Sequence, residues 1–233
     1  MISARRLSIV ARGTSVLHDV SIRVAAGECV GLSGASGSGK TALLQAFAGL
    51  VRPTAGSIHL RDEERPVDAL LLRRSVSYAA VESIAGDGLR VDEYLRFVAQ
   101  VRGARASIEA SAHTAATRRA GLDPSAAIAM LTPPQRAALA IAAAVATPAR
   151  VVLIDGAVDA LAFAERERVM SWLVEIRDRG VAMLVATNDA DVQKSLCHRV
   201  LHLVRGGVAE EWRNLTAPPG ATVSPPEAPV RSL

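Results

Sequence analysis

The sequence predicts an α/β fold: a parallel sheet with helices on both faces, an antiparallel β edge and an inserted α-helical subdomain. Three observations predict it. Short continuous apolar runs, Val151–Ile154 and Val181–Ala186 among them, read as strands buried on both faces. They alternate with helical stripes, and that alternation implies a parallel sheet covered on both sides. From Asp87 to Ala146 the strand signal stops and helical character takes over, as an inserted lobe requires.

Taken in order, the first 30 residues read as strands. Ser15–Val24 alternates, Ala26-Gly27 turns, and Glu28–Leu32 is a short apolar strand running into Gly-rich sequence. Thr41–Ala48 reads as a helix closed by Gly49, and Pro53–Gly56 as a turn. Ser57–Leu60 and Val76–Ala80 are strand-like. Val91, Tyr94, Leu95 and Val98 form a helical stripe within Val91–Val101. A second helix spans Ser107–Ala120, with Gly121 at its C-cap. Thr132 with Gln135 has the capping-box pattern, and Pro133 suits the first helical position of a third. Beyond Val151–Ile154, an amphipathic helix covers Glu165–Arg179 and ends at Gly180, and Val200–Val204 is a last buried strand. Residues 217–233 are rich in Pro, Ala and Ser and read as a flexible tail. That leaves 1–216 as one domain, with the helical subdomain at about 83–147.

The 233 residues, half of them apolar, suffice for one domain with a real core. Yet nowhere do about 18 uncharged apolar residues follow one another, the rough minimum for a membrane helix. The nearest approach, Ala137–Val152, is broken by Pro148 and Arg150. Arg5-Arg6 precedes no long apolar run, so no signal peptide is expected. The expectation is a soluble, cytoplasmic chain whose membrane helices, if it serves a membrane, come from a partner. The net charge of +4 does not argue for nucleic acid, because aromatics are only 3% and the arginines are scattered. Cys29 and Cys197 lack metal-type spacing and read as reduced thiols, one of them packed in a strand.

The chain has two lysines, Lys40 and Lys194. In so Arg-rich a chain, Lys40 calls for a specific reason, and its neighbours supply one. Gly34-Ala35-Ser36-Gly37-Ser38-Gly39-Lys40-Thr41 fits the phosphate-binding P-loop pattern fully, between a strand and a helix. The glycines let the backbone wrap a phosphate, and the helix N-terminus adds its positive dipole end. Lys40 can reach the β- and γ-phosphates, and Thr41 can hold Mg²⁺ through its hydroxyl. Such a loop needs a carboxylate on a neighbouring strand, and Asp155 closes the apolar run Val151–Ile154. An acid there requires compensation, and a bound metal provides it.

With these motifs the chain resembles the ATP-binding cassette of ABC transporters, a P-loop NTPase. Val20–Leu32 resembles the family's opening strands, Leu43–Ser57 the stretch after its P-loop, and Thr187–Glu210 the segment after its last buried strand. Arg90–Gly103 resembles the first insert helix of exporter-type cassettes, and Leu131–Leu139 stands where the signature lies. The likeness covers about residues 5–212. It implies Mg-ATP as ligand, an integral membrane subunit as partner, and a second cassette facing the first across the nucleotide.

The departures from the family pattern imply weak or absent hydrolysis, and no catalytic residue is assigned. The signature Leu-Ser-Gly-Gly-Gln is replaced by Leu131-Thr132-Pro133-Pro134-Gln135, whose prolines have no N–H to offer a γ-phosphate. Gly156 stands where the family's water-polarising Glu would be, Asn188 where its switch His would be, and Val81 at its Q-loop Gln. The late loop ends in Ala162 rather than Asp, and Ala11-Arg12 lies nearest the missing adenine-stacking aromatic. Three readings follow: a transporter subunit paired with a more complete cassette, a non-transport ATP-binding scaffold, or a working ATPase with Glu82, Asp159 or Asp189 as substitute groups. In the first, Tyr78–Val81 and the helix Val91–Val101 would line a groove for the membrane partner.

Overall fold

The computed structural model describes residues 1–61, 65–102, 106–147 and 149–213, with backbone alone for 106–112. The chain begins with a β-hairpin. Strands β1 (Ile2–Ala11), β2 (Thr14–Val24) and, later, β4 (Ala55–Leu60) form a three-stranded antiparallel sheet in the order β2-β1-β4. Between them run β3 (Cys29–Ser33) and helix α1 (Lys40–Phe47). Next come α2 (Ala69–Ser75), β5 (Val76–Ala80), α3 (Val91–Val101), α4 (Ala106–Ala120) and α5 (Pro133–Ala146). The chain continues with β6 (Val151–Asp155), α6 (Phe163–Asp178), β7 (Ala182–Ala186), α7 (Ala190–Leu196), β8 (Arg199–Val204) and β9 (Gly207–Arg213).

The second sheet has six strands in the order β5-β6-β7-β3-β8-β9. All pairings are parallel except β8 with β9, which is antiparallel. Strand alternation divides its side chains between two cores. Val152, Ile154, Met183 and Val185 join the core built with α3, α4, α5 and α6. Val151, Leu153, Ala182 and Leu184 join the core formed with α1 and the antiparallel sheet. Both faces are therefore covered, which explains the unbroken apolar runs.

Helix α5 is buried on every side from Ala137 to Ala144. Among the described residues, no helix is long and apolar enough to cross a membrane. Cys29 and Cys197 are fully buried and form no disulfide; the Cys29 thiol donates to Cys197 Sγ at 3.8 Å. Burial pushes the Cys29 thiol well above its ordinary pKa.

Most boundaries agree with the sequence reading to within two residues. The differences are α2, α7 and β9, which the periodicity does not show. Helix α2 is capped by Asp68, whose Oδ1 accepts the Leu71 N–H at 2.7 Å. Its Leu70 and Leu71 are exposed, so it carries no apolar stripe to detect. Most of β9 faces solvent, which removes the alternation a half-buried strand shows. Pro148, Asn214 and the predicted tail 217–233 lie outside the described residues.

Candidate functional site: the loop between β3 and α1

Three parallel strands aim their carboxyl ends at one place, where ligands of open α/β sheets bind. Strand β3 ends in the loop 34–39, β6 ends in Asp155, and β7, between them, runs into Thr187 and Asn188. The loop's path depends on its glycines. Gly34 has φ 137°, and a Cβ there would meet the Leu203 carbonyl oxygen at 2.4 Å. Gly39 has φ 104° and forms the N-cap of α1, with no side chain to block the first N–H groups.

Lys40 lies across the loop. Its ammonium donates to the carbonyl oxygens of Gly34 (2.6 Å) and Ala35 (2.9 Å) and to Ser38 Oγ (3.3 Å). Burial lowers its pKa, while Asp155 and Asp159 pull in the opposite direction. The Thr41 hydroxyl donates to Asp155 Oδ1 at 3.2 Å. The eight loop residues and Asp155, read from segments 114 residues apart, are thus brought together.

The residues present fit Mg²⁺ held jointly with phosphates. Thr41 and Asp155 offer hard oxygen donors side by side, and Mg²⁺ is commonly held by one or two protein ligands plus substrate phosphates. Among the described residues, no group of three or more His, Cys, Asp or Glu could hold an ion without such help. The ion, when bound, would neutralise phosphate charge. With nucleotide bound, loop N–H groups would face phosphate, Lys40 would supply counter-charge and Asp155 would anchor the ion.

Two contacts escape sequence reasoning. Tyr78, expected to line a groove for a partner, instead donates its hydroxyl to Asp155 Oδ2 at 2.9 Å. Burial, and then the Asp155 charge, raise its pKa, so the phenol keeps its proton. Asn188 Oδ1 accepts the Gly34 N–H at 3.0 Å, and its Nδ2 donates to the Gly34 carbonyl at 3.1 Å. The side-chain amide thereby pairs with the first glycine of the loop. The only sequence signal for Tyr78 is a polar-tipped residue in a buried strand.

Of the candidate substitute acids, Asp159 and Asp189 are already engaged, and Glu82 is exposed. Asp159 accepts from the Thr187 hydroxyl and from the Asn188 N–H. Asp189 caps α7, where the Val192 N–H, ahead of Arg166, holds its carboxyl below the usual carboxylate range. Glu82 is exposed, in the 3₁₀ turn Val81–Ser83. Gly156 has φ 64° and bears no side chain. Arg12, with φ 51°, sits exposed in the β1–β2 turn. Pro133 and Pro134 open α5, where Thr132 donates its N–H and its hydroxyl to Gln135 Oε1 at 2.9 and 3.1 Å.

The family model for ABC transporters matches residues 17–159, more than half of the chain. The chain belongs to the ABC transporter family, as an ATP-binding cassette. Among curated proteins it is 32% identical to the sulfate/thiosulfate import ATP-binding protein CysA of Brucella melitensis, over 83% of this chain and 56% of that one. It is 33% identical to the methionine import ATP-binding protein MetN of Caulobacter vibrioides, over 85% of this chain and 62% of that one. The chain thus spans little more than half the length of these relatives. Both names say import, whereas the sequence reading of Arg90–Gly103 expects an exporter type. The ATP-binding subunit of an ABC transporter superposes with TM-score 0.83 at 21% identity, covering 91% of this chain and 90% of that one. A dimeric ATP-binding cassette in a post-hydrolysis state with ADP and Pi superposes with TM-score 0.82 at 22% identity, covering 91% and 98%. At such identities these two likenesses speak for the fold. ATP with Mg²⁺ is the ligand pair of ABC cassettes.

Proposed function

We propose that this chain is the ATP-binding subunit of an ABC transporter, with ATP hydrolysis weak or absent at its own site. It binds Mg-ATP at Gly34–Thr41, with Thr41 and Asp155 toward the metal. It works at the inner face of a membrane through an integral membrane subunit and pairs with a second, more complete cassette. One observation carries the reading. The phosphate-holding groups converge at the loop, while Gly156 leaves the place after Asp155 bare and Asn188 is spent on Gly34. Removing one positioned acid–base group commonly costs about 10²–10⁴ in rate. Coupling to a membrane subunit is supported by the import proteins among the relatives. Phe97 and Val101, exposed on α3, offer apolar contact for such a partner.

The test is Mg²⁺-dependent ATP turnover by the purified chain, with Lys40→Ala as the blank, alongside ATP binding. The expected outcome is ATP binding in the unaltered chain, its loss in Lys40→Ala, and turnover no greater than the blank. Turnover clearly above the blank would show that another group replaces the missing acid and would reject the reading. An integral membrane protein should co-purify with the chain from its native membrane.

A further inference from the structure

We propose that Tyr78 is a positioning residue for the metal site, fixing Asp155 so that a single oxygen is presented to Mg²⁺. The inference rests on the reading that Thr41 and Asp155 hold the ion. The geometry divides the carboxylate between two neighbours. Tyr78, on β5, donates to Oδ2 at 2.9 Å, and Thr41, on α1, donates to Oδ1 at 3.2 Å. Strand register places the phenol there: Ala80 pairs with Asp155 and Tyr78 with Leu153, so Tyr78 lies two residues back along the adjacent strand. Gln45, four residues after Thr41 and so on the same face of α1, lies close to the phenol.

This arrangement has a consequence for ion choice. Hydrogen bonds to an ionised carboxylate are strong and directional, so Oδ2 is committed. An ion arriving beside Thr41 meets Oδ1, and the carboxylate cannot turn to chelate with both oxygens without losing the Tyr78 bond. Mg²⁺ is served well by single carboxylate oxygens in an octahedral shell. Ca²⁺ takes six to eight oxygens and readily uses carboxylates in bidentate fashion. Tyr78 thus both preorganises the acid and biases the site toward the smaller ion.

The test is binding of a fluorescent ATP analogue, titrated with Mg²⁺ and separately with Ca²⁺, for the unaltered chain and for Tyr78→Phe. The expected result is metal-free binding unchanged in Tyr78→Phe, half-saturating Mg²⁺ raised several-fold, and a narrower preference for Mg²⁺ over Ca²⁺. An unchanged Mg²⁺ midpoint and an unchanged ion preference overturn the inference while leaving the Thr41–Asp155 site standing. A parallel loss of metal-free binding would make Tyr78 structural only, and also overturns it. If the unaltered chain binds the analogue without any Mg²⁺ dependence, the metal site itself fails and this inference with it. A second measurement needs no variant to bind nucleotide. The chain has two tyrosines, Tyr78 and Tyr94, so 3-fluorotyrosine labelling yields two fluorine resonances, assigned by the one missing in Tyr78→Phe. The Tyr78 resonance should move when Mg²⁺ joins bound nucleotide; a resonance that stays put contradicts the proposal.

Discussion

Helices α1 and α5 both begin where this family brings phosphate, and they begin in opposite ways. Each N-terminus carries the same partial positive charge, equivalent to roughly half an elementary charge. At α1 the cap is Gly39, with no side chain, and Lys40 lies across the preceding loop. At α5 the cap is Thr132, tied to Gln135, and the next two residues are prolines. Two of the first N–H groups are thereby deleted and the cap's own is satisfied internally. The dipole alone does not make a phosphate site: donors must be present and unspent. Helix α5 starts with two residues that have no N–H, whereas α1 starts at a glycine cap followed by residues that have theirs.

The largest effect that sharpens this contrast is expected from Gly39→Ala. A Cβ there would meet Leu17 Cδ2 at 2.5 Å and the Val16 carbonyl oxygen at 2.9 Å, at φ 104°. Strained backbone and overpacking together should cost about 2–4 kcal/mol in chemical unfolding and remove nucleotide binding. Asn188→Ala comes next. Losing the paired bonds to Gly34 should weaken ATP binding by about 1 kcal/mol, roughly five-fold, by calorimetric titration. An unchanged affinity would mean the loop keeps its shape without the amide. Pro133→Ala should be smaller still, within about 0.4–1 kcal/mol of stability through the unfolded chain, with ATP binding by the isolated chain unaffected. If Pro133→Ala cost as much as Gly39→Ala, the contrast between the two helix starts would collapse.

The smallest expected effect concerns acid. His198 Nδ1 accepts the Cys29 N–H at 3.0 Å, at the root of the strand that carries the loop. Burial, then Arg177, lowers its pKa below the ordinary value near 6.5. Above that ordinary value neither state carries the proton and the His198 contribution is whole. As pH falls below it, the unfolded chain takes up a proton that the folded chain refuses, and stability declines until the folded pKa is passed. The melting temperature should therefore drop between neutral and mildly acidic pH, and His198→Asn should flatten part of that slope.

Much of the site is legible in the sequence because it is contiguous. The loop 34–41 must wrap phosphate with its own backbone, so its glycines and Lys40 sit at fixed local spacing. Asp155 is legible for a different reason, as a charge at the end of an apolar strand. The bonds of Tyr78 to Asp155 and of Asn188 to Gly34 span 77 and 154 residues of chain, and no local pattern encodes them. Likewise α2, α7 and β9 are short or solvent-facing, and hydrophobic periodicity is silent where little is buried.

The sequence by itself determined that a phosphate loop exists, that a strand-end acid accompanies it, and that two prolines open α5. Each follows from backbone chemistry: positive φ at glycine, the cost of an apolar strand ending in charge, the missing N–H of proline. Only the tertiary structure decided which groups remain free to act there. Strand order β6-β7-β3 placed Asn188 on Gly34 and Asp155 on Thr41, and β5–β6 register brought Tyr78 to the same acid. A side chain's chemistry is set by its residue type, but its availability is set by what packs against it.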